Sequence, residues 1–216
     1  MKKIMTLLLG MLLFIGCKKD TVTIDTQTWT DKNLDVATYS DGTIIPQVTD
    51  PTEWANLTTG AWCYYDNSDI IGPVYGKLYN WYAVAGIWNE ASKKDAFQRK
   101  KLAPTGYHVP SDEEWTILTT SLGGKHFAGT KMKETEGEWL TGYPLATNSS
   151  GFTGLAGGYR HGDGTFDKFR YEGNWWSSLE DDTTNARFLY MSYLFGDAMR
   201  ASNSKKSGFS VRCLRD

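Results

Sequence analysis

The chain has 216 residues, with 23 Lys and Arg against 25 Asp and Glu and a formal net charge of −2 at pH 7. That near balance excludes the clustered basic surface a nucleic-acid backbone requires, so no nucleic acid is expected as a partner. The 9 Trp, 12 Tyr, 9 Phe and 22 Gly favour short strands, turns and irregular loops over a helical bundle.

Taken in chain order, Lys2 and Lys3 precede an apolar run from Ile4 to Ile15, and Gly16-Cys17 follow it. The run falls short of the about 20 residues that a membrane-spanning helix needs. A charged start, a short apolar core and a small residue before the cut make a secretory signal. The Cys directly after Gly16 resembles a lipobox, which implies removal of residues 1–16 and lipidation of Cys17, with dual acylation (palmitate among the acyl groups) giving stable attachment. Lys18-Lys19-Asp20 lacks the Asp directly after Cys that holds many lipoproteins in the inner membrane, so an outer-membrane anchor is expected. A Lys-plus-acid start also loosely resembles the surface-export signal of Bacteroidetes lipoproteins. Residues 17–21 then form the anchor and a short linker, and residues 22–216 a single domain, long enough to bury a core of its own.

Within that domain, alternating apolar residues predict strands at 22–30, 155–160, 173–178, 186–195 and 208–214. Residues 38–76 read as a long irregular insertion, and a helix is expected over Leu78 to Ala85. The firmest element begins at Pro110-Ser111-Asp112-Glu113-Glu114. There Ser111 and Glu114 form a capping box; Trp115, Leu118 and Leu122 repeat at helical spacing, and Gly123-Gly124 ends the helix. In the strand 208–214, Phe209, Val211 and Cys213 are phased inward. With Cys17 carrying lipid, Cys63 and Cys213 are an even pair in an oxidising compartment and are expected to form a disulfide, two separate buried thiols being the alternative.

The string Pro104-Thr105-Gly106-Tyr107-His108-Val109-Pro110-Ser111-Asp112-Glu113-Glu114-Trp115 resembles a signature shared by formylglycine-generating-enzyme-like proteins and the Fibrobacter succinogenes major paralogous domain. The second family also accounts for Gln27-Thr28-Trp29, Cys63-Tyr64-Tyr65, Tyr75 to Tyr82, Gly151-Phe152-Thr153, Gly157-Gly158-Tyr159-Arg160, Trp175-Trp176-Ser177-Ser178 and Gly208 to Cys213. These blocks stand in family order along almost all of the domain. The resemblance implies an α+β, C-type-lectin-like fold with paired terminal strands, on an exported or surface protein.

Enzymatic chemistry is not expected. The copper-holding relatives need a close pair of thiols, which Cys63 and Cys213 do not make. His108, His126 and His161 stand in unrelated contexts, and no nucleophile has a nearby base. Glu180-Asp181-Asp182 reads as a solvated turn. The acids Asp163, Asp167, Asp181 and Asp182 offer hard oxygens for calcium but lack EF-hand spacing, so turn stabilisation is their expected role. No cofactor is therefore expected.

The remaining signal is aromatic. Tyr171, Trp175, Trp176, Phe188, Tyr190, Tyr193 and Phe195 lie close together in the sequence with Arg170, Arg187 and Asn185 among them. Most must fill the core, and those left exposed suit sugar rings or protein partners. The resemblance puts the ligand face in the last third of the chain. The expected recognition face comprises Tyr171, Asn174, Arg200 and Asn203, with Trp175 or Trp176 beneath it. The function expected is a non-catalytic surface module binding glycan or protein; the alternative is a structural envelope component without a soluble ligand.

Overall fold

The structure is a computed structural model that describes residues 20–140 and 146–216. The signal segment and Cys17 lie outside the described residues. Among those described, no helix is long and apolar enough to cross a membrane.

The chain enters a hairpin of β1 (Thr21–Ile24) and β2 (Gln27–Thr30), turned at Asp25, whose φ of 52° is one a short acidic residue tolerates. Where a single strand over 22–30 is expected, the turn makes two. Residues 38–76 hold α1 (Pro51–Ala55), β3 (Trp62–Cys63) and α2 (Gly72–Tyr75). They are no loose insertion, because Tyr39, Ile45, Val48, Trp54 and Trp62 are all core residues. The helix expected from Leu78 is also corrected. Leu78–Tyr79 is a strand, β4, paired with β3. Asn80 then caps the short helix α3 (Trp81–Val84) by accepting from the Ala83 N–H.

After α4 (Glu90–Lys94) and β5 (Tyr107–His108) comes the helix marked by the capping box. It is α5 (Asp112–Ser121), with Ser111 and Glu114 bonded reciprocally. Gly123 and Gly124 end it at φ 97° and 93°, values that favour glycine. A further helix, α6 (Lys125–Met132), follows at once. Then come β6 (Gly157–Arg160), β7 (Phe166–Phe169), β8 (Glu172–Glu180), β9 (Asn185–Ser192), β10 (Met199–Ser204) and β11 (Leu214–Arg215).

The fold is α+β. One sheet runs β1-β2-β11-β5, a second β10-β9-β8-β6-β7, and β3 and β4 form a two-stranded third. The expected terminal pairing is present as Trp29 opposite Leu214. Residues 207–214 are not the one-sided strand the alternation suggests. Ser210 and Arg212 are as buried as Phe209, Val211 and Cys213, because this extended segment runs through the middle of the molecule. Phe209 exchanges both backbone hydrogen bonds with Tyr79, Gly208 does so with Arg160, and Ser210 bonds the backbone of Asn174 and Trp176.

Burial on both sides explains why the phase of Cys213 says nothing about its partner. The expected Cys63–Cys213 disulfide is absent, and both thiols are free and buried. Cys63 packs with Val48, Trp54 and Leu78, whereas Cys213 packs in a separate cluster with Trp176, Phe209 and Val211. Burial pushes both thiols up to about 12.

A third cluster lies between the second sheet and α5 and α6, around Trp29, Trp115, Phe152 and Trp175. Trp29 stacks on Trp115 at 4.7 Å, and Phe152 meets both edge-on. Beside them Arg212, wholly buried, donates to the carbonyls of Thr30, Phe152 and Thr153. Its guanidinium lies 4.3 Å from the centre of the Phe152 ring.

Candidate functional site: an aromatic concavity on the five-stranded sheet

Strand alternation sorts the aromatic residues of β8 and β9 onto two faces. Trp175 stands opposite Leu189, and Trp176 opposite Phe188. Trp175 faces α5, with its Nε1 donating to Asn33 Oδ1 at 2.8 Å. Trp176 faces the other way, and its Nε1 donates to the Tyr79 carbonyl. On this second face Asn174 lies opposite Tyr190, Tyr190 opposite Met199, and Asn203 opposite Ala186.

Asn174, Phe188, Tyr190 and Asn203, together with Tyr159 from β6, Glu172 from the start of β8 and Phe209, line a concavity of about 260 Å³. Its rings are continuous. Phe188 lies 5.8 Å from Tyr190 and 4.7 Å from Phe209, and Phe209 meets Tyr159 edge-on at 5.6 Å. Trp176 packs 4.3 Å from Phe209 and supports the platform from below.

The polar groups are few and differ in kind. Asn174 is 2% exposed, and its Nδ2 makes no hydrogen bond of ordinary length and angle, only a loose approach to the Glu172 carboxyl. A buried donor left so destabilises the fold unless a ligand pairs it. Asn203 has its Oδ1 occupied by the Ser204 N–H and the Ser207 hydroxyl, which leaves Nδ2 as its open donor. Glu172 is half-buried, and burial raises its carboxyl above the usual range, reinforced by Asp167 and opposed by Lys168 and by the nearby Asn174 side chain. The site thus combines an apolar floor with two amide donors and one carboxylate, and lacks a nucleophile beside a base.

Of the six residues expected to bind, the structure brings Asn174 and Asn203 together and puts Trp176 beneath them. The other three lie elsewhere. Trp175 is on the opposite face of the sheet. Tyr171 is 43% exposed at the β7–β8 turn, packed edge-on against Tyr193. Arg200 is not in a loop but in β10, on the helix side, where its guanidinium binds Asp112 and Thr116 of α5. Tyr159, Glu172 and Phe209 were not in the expected face. The alternation of Glu172, Asn174 and Trp176 carried a signal for Glu172, whereas nothing local places Tyr159 and Phe209 beside it.

The four acids weighed for calcium are divided among separate turns and ion pairs. Asp163 caps the Thr165 backbone, Asp182 accepts from Thr184 and Asn185, Asp181 pairs with Arg187, and Asp167 lies near His161. Among the described residues no three His, Cys, Asp or Glu are grouped for a metal. A larger cleft of about 540 Å³, lined by Asp31, Glu134, Glu136, Glu138 and Arg212 among others, has no aromatic ring in its wall.

No curated protein and no solved structure matches this chain. The sequence pattern of the Fibrobacter succinogenes major domain matches residues 22–215, nearly the whole described structure. By that match, the chain belongs to the Fibrobacter succinogenes major domain family.

Proposed function

We propose that this domain is a non-catalytic binding module whose ligand is a glycan, held in the concavity between Tyr159, Tyr190 and Asn203. One observation carries the reading: a nearly fully buried amide without a well-formed hydrogen bond lies in the wall of a concavity lined by aromatic rings. Sugar rings present apolar C–H faces to aromatic rings and hydroxyls to amides and carboxylates, which is the chemistry of this wall. The same reading includes a C-type-lectin-like fold, a lipid on Cys17 and an outer-membrane or cell-surface position. The alternative, an assembly component, draws on Phe127, Leu194 and Phe195, which are exposed on α6 and the loop beside it.

A glycan array probed with the full chain in detergent tests the proposal. Capture that is lost in Tyr190→Ala supports it; capture unchanged by that substitution, or none at all, rejects it. Labelling with a fatty-acid analogue tests the anchor, since Cys17→Ala should carry no label.

A further inference from the structure

The wall of the concavity holds one charged side chain, Glu172, and no Lys, Arg or His. The charges acting on Glu172 are Lys168 and Asp167, of opposite sign, from β7, which lies beyond β6 in the same sheet. The donors are neutral amides. Asn174 Nδ2 needs one acceptor oxygen, and a hydroxyl or an acetamido carbonyl satisfies it equally. Glu172 accepts from hydroxyls but repels any anion brought beside it. The volume, about 260 Å³, is at the small end for ligand pockets, so one sugar ring fills it while the rest of a chain stays outside.

We propose, resting on the glycan reading above, that the site takes uncharged pyranosides and rejects those bearing a carboxylate or sulfate, Glu172 being the residue that discriminates. Asn174 donates to a ring substituent, Glu172 accepts from a neighbouring hydroxyl, and Tyr190 and Phe188 cover the apolar side of the ring.

The test uses matched pairs, glucosides beside glucuronides and galactosides beside galacturonides, presented to the full chain. The neutral member should bind at least about tenfold more tightly, as like charges at a binding surface oppose each other strongly. In Glu172→Gln the ratio should shrink to within about threefold, through gain of the acidic member, and Asn174→Ala should weaken both members alike. Raising salt from about 0.05 M to about 1 M should narrow the ratio in the unaltered protein, a readout that needs no variant. Equal capture of both members in the unaltered protein, or a ratio that Glu172→Gln leaves unchanged, overturns the charge rule while the glycan reading stands. Capture of neither member at any concentration overturns both.

Discussion

Asn174 and Tyr190 face each other across β8 and β9, with the amide buried and the phenol ring beside it in the same wall. A poorly paired donor in that position favours binding at the expense of stability. Asn174→Leu, close to isosteric, removes it without opening a cavity. It should raise the thermal midpoint by a few degrees and lower glycan capture by at least about tenfold. A variant destabilised by more than about 1 kcal/mol would show that the amide is a structural group instead.

Arg212 makes the opposite case, a charge retained for structure. Burial draws its guanidinium down to about 9, so it stays charged at neutral pH. Arg212→Met strands the carbonyls of Thr30, Phe152 and Thr153 beside the Trp29 cluster. The expected loss is on the order of 3 kcal/mol in a denaturant titration. A loss under about 1 kcal/mol would mean that water replaces the guanidinium there.

Stability should depend on pH through His108, which bridges Asp216 and Glu114 at 2.8 Å on each ring nitrogen. Burial alone would lower its pKa, but the hydrogen bonds to Asp216 and Glu114 outweigh that and raise it. A raised folded pKa stabilises fully below the unfolded value of about 6.5 and is lost as pH rises through the folded value. Glu114 and Asp216 are shifted down, Asp216 by its bonds to His108 and Lys101, so their contribution disappears in acid instead. The thermal midpoint should therefore peak between the two windows and fall as pH rises above about 6.5. In His108→Asn the alkaline fall should flatten; an unchanged profile assigns the fall to other groups.

Thiol chemistry follows from the separation of Cys63 and Cys213. Neither should react with an alkylating reagent in the folded protein at pH 8, because both are buried and their thiolates disfavoured. Both should react once the chain is unfolded without reductant. A mass that shows them joined would reinstate the disulfide.

How far the sequence was legible depended on whether a signal was local. The α5 helix was legible because Ser111, Glu114 and the glycine pair lie within a few residues of the backbone groups they satisfy. The terminal pairing and the family also followed from short blocks of residues. Arg200 was misjudged because its neighbours on β10 look like a polar turn, and only Asp112 and Thr116, far off in the chain, fix it on the helix side. Cys213 failed for a related reason: alternation distinguishes inside from outside only when a strand has an outside, and residues 207–214 have none. Half of the binding wall is non-local in the same way, since Tyr159 and Phe209 meet Asn174 only through tertiary pairing.

The buried run 207–214 also dictates an order of events. It carries the hydrogen bonds that join β2, β4, β6 and β8, and in the chain it follows every one of those partners. Until it has emerged, Trp176 and Tyr79 lack the ring and backbone that cover them, and β2 and β4 lack the segment that hydrogen-bonds them to β6 and β8. Pairings of such long sequence separation form slowly. A chain built this way closes in one late step, when its spine becomes available to the strands that precede it.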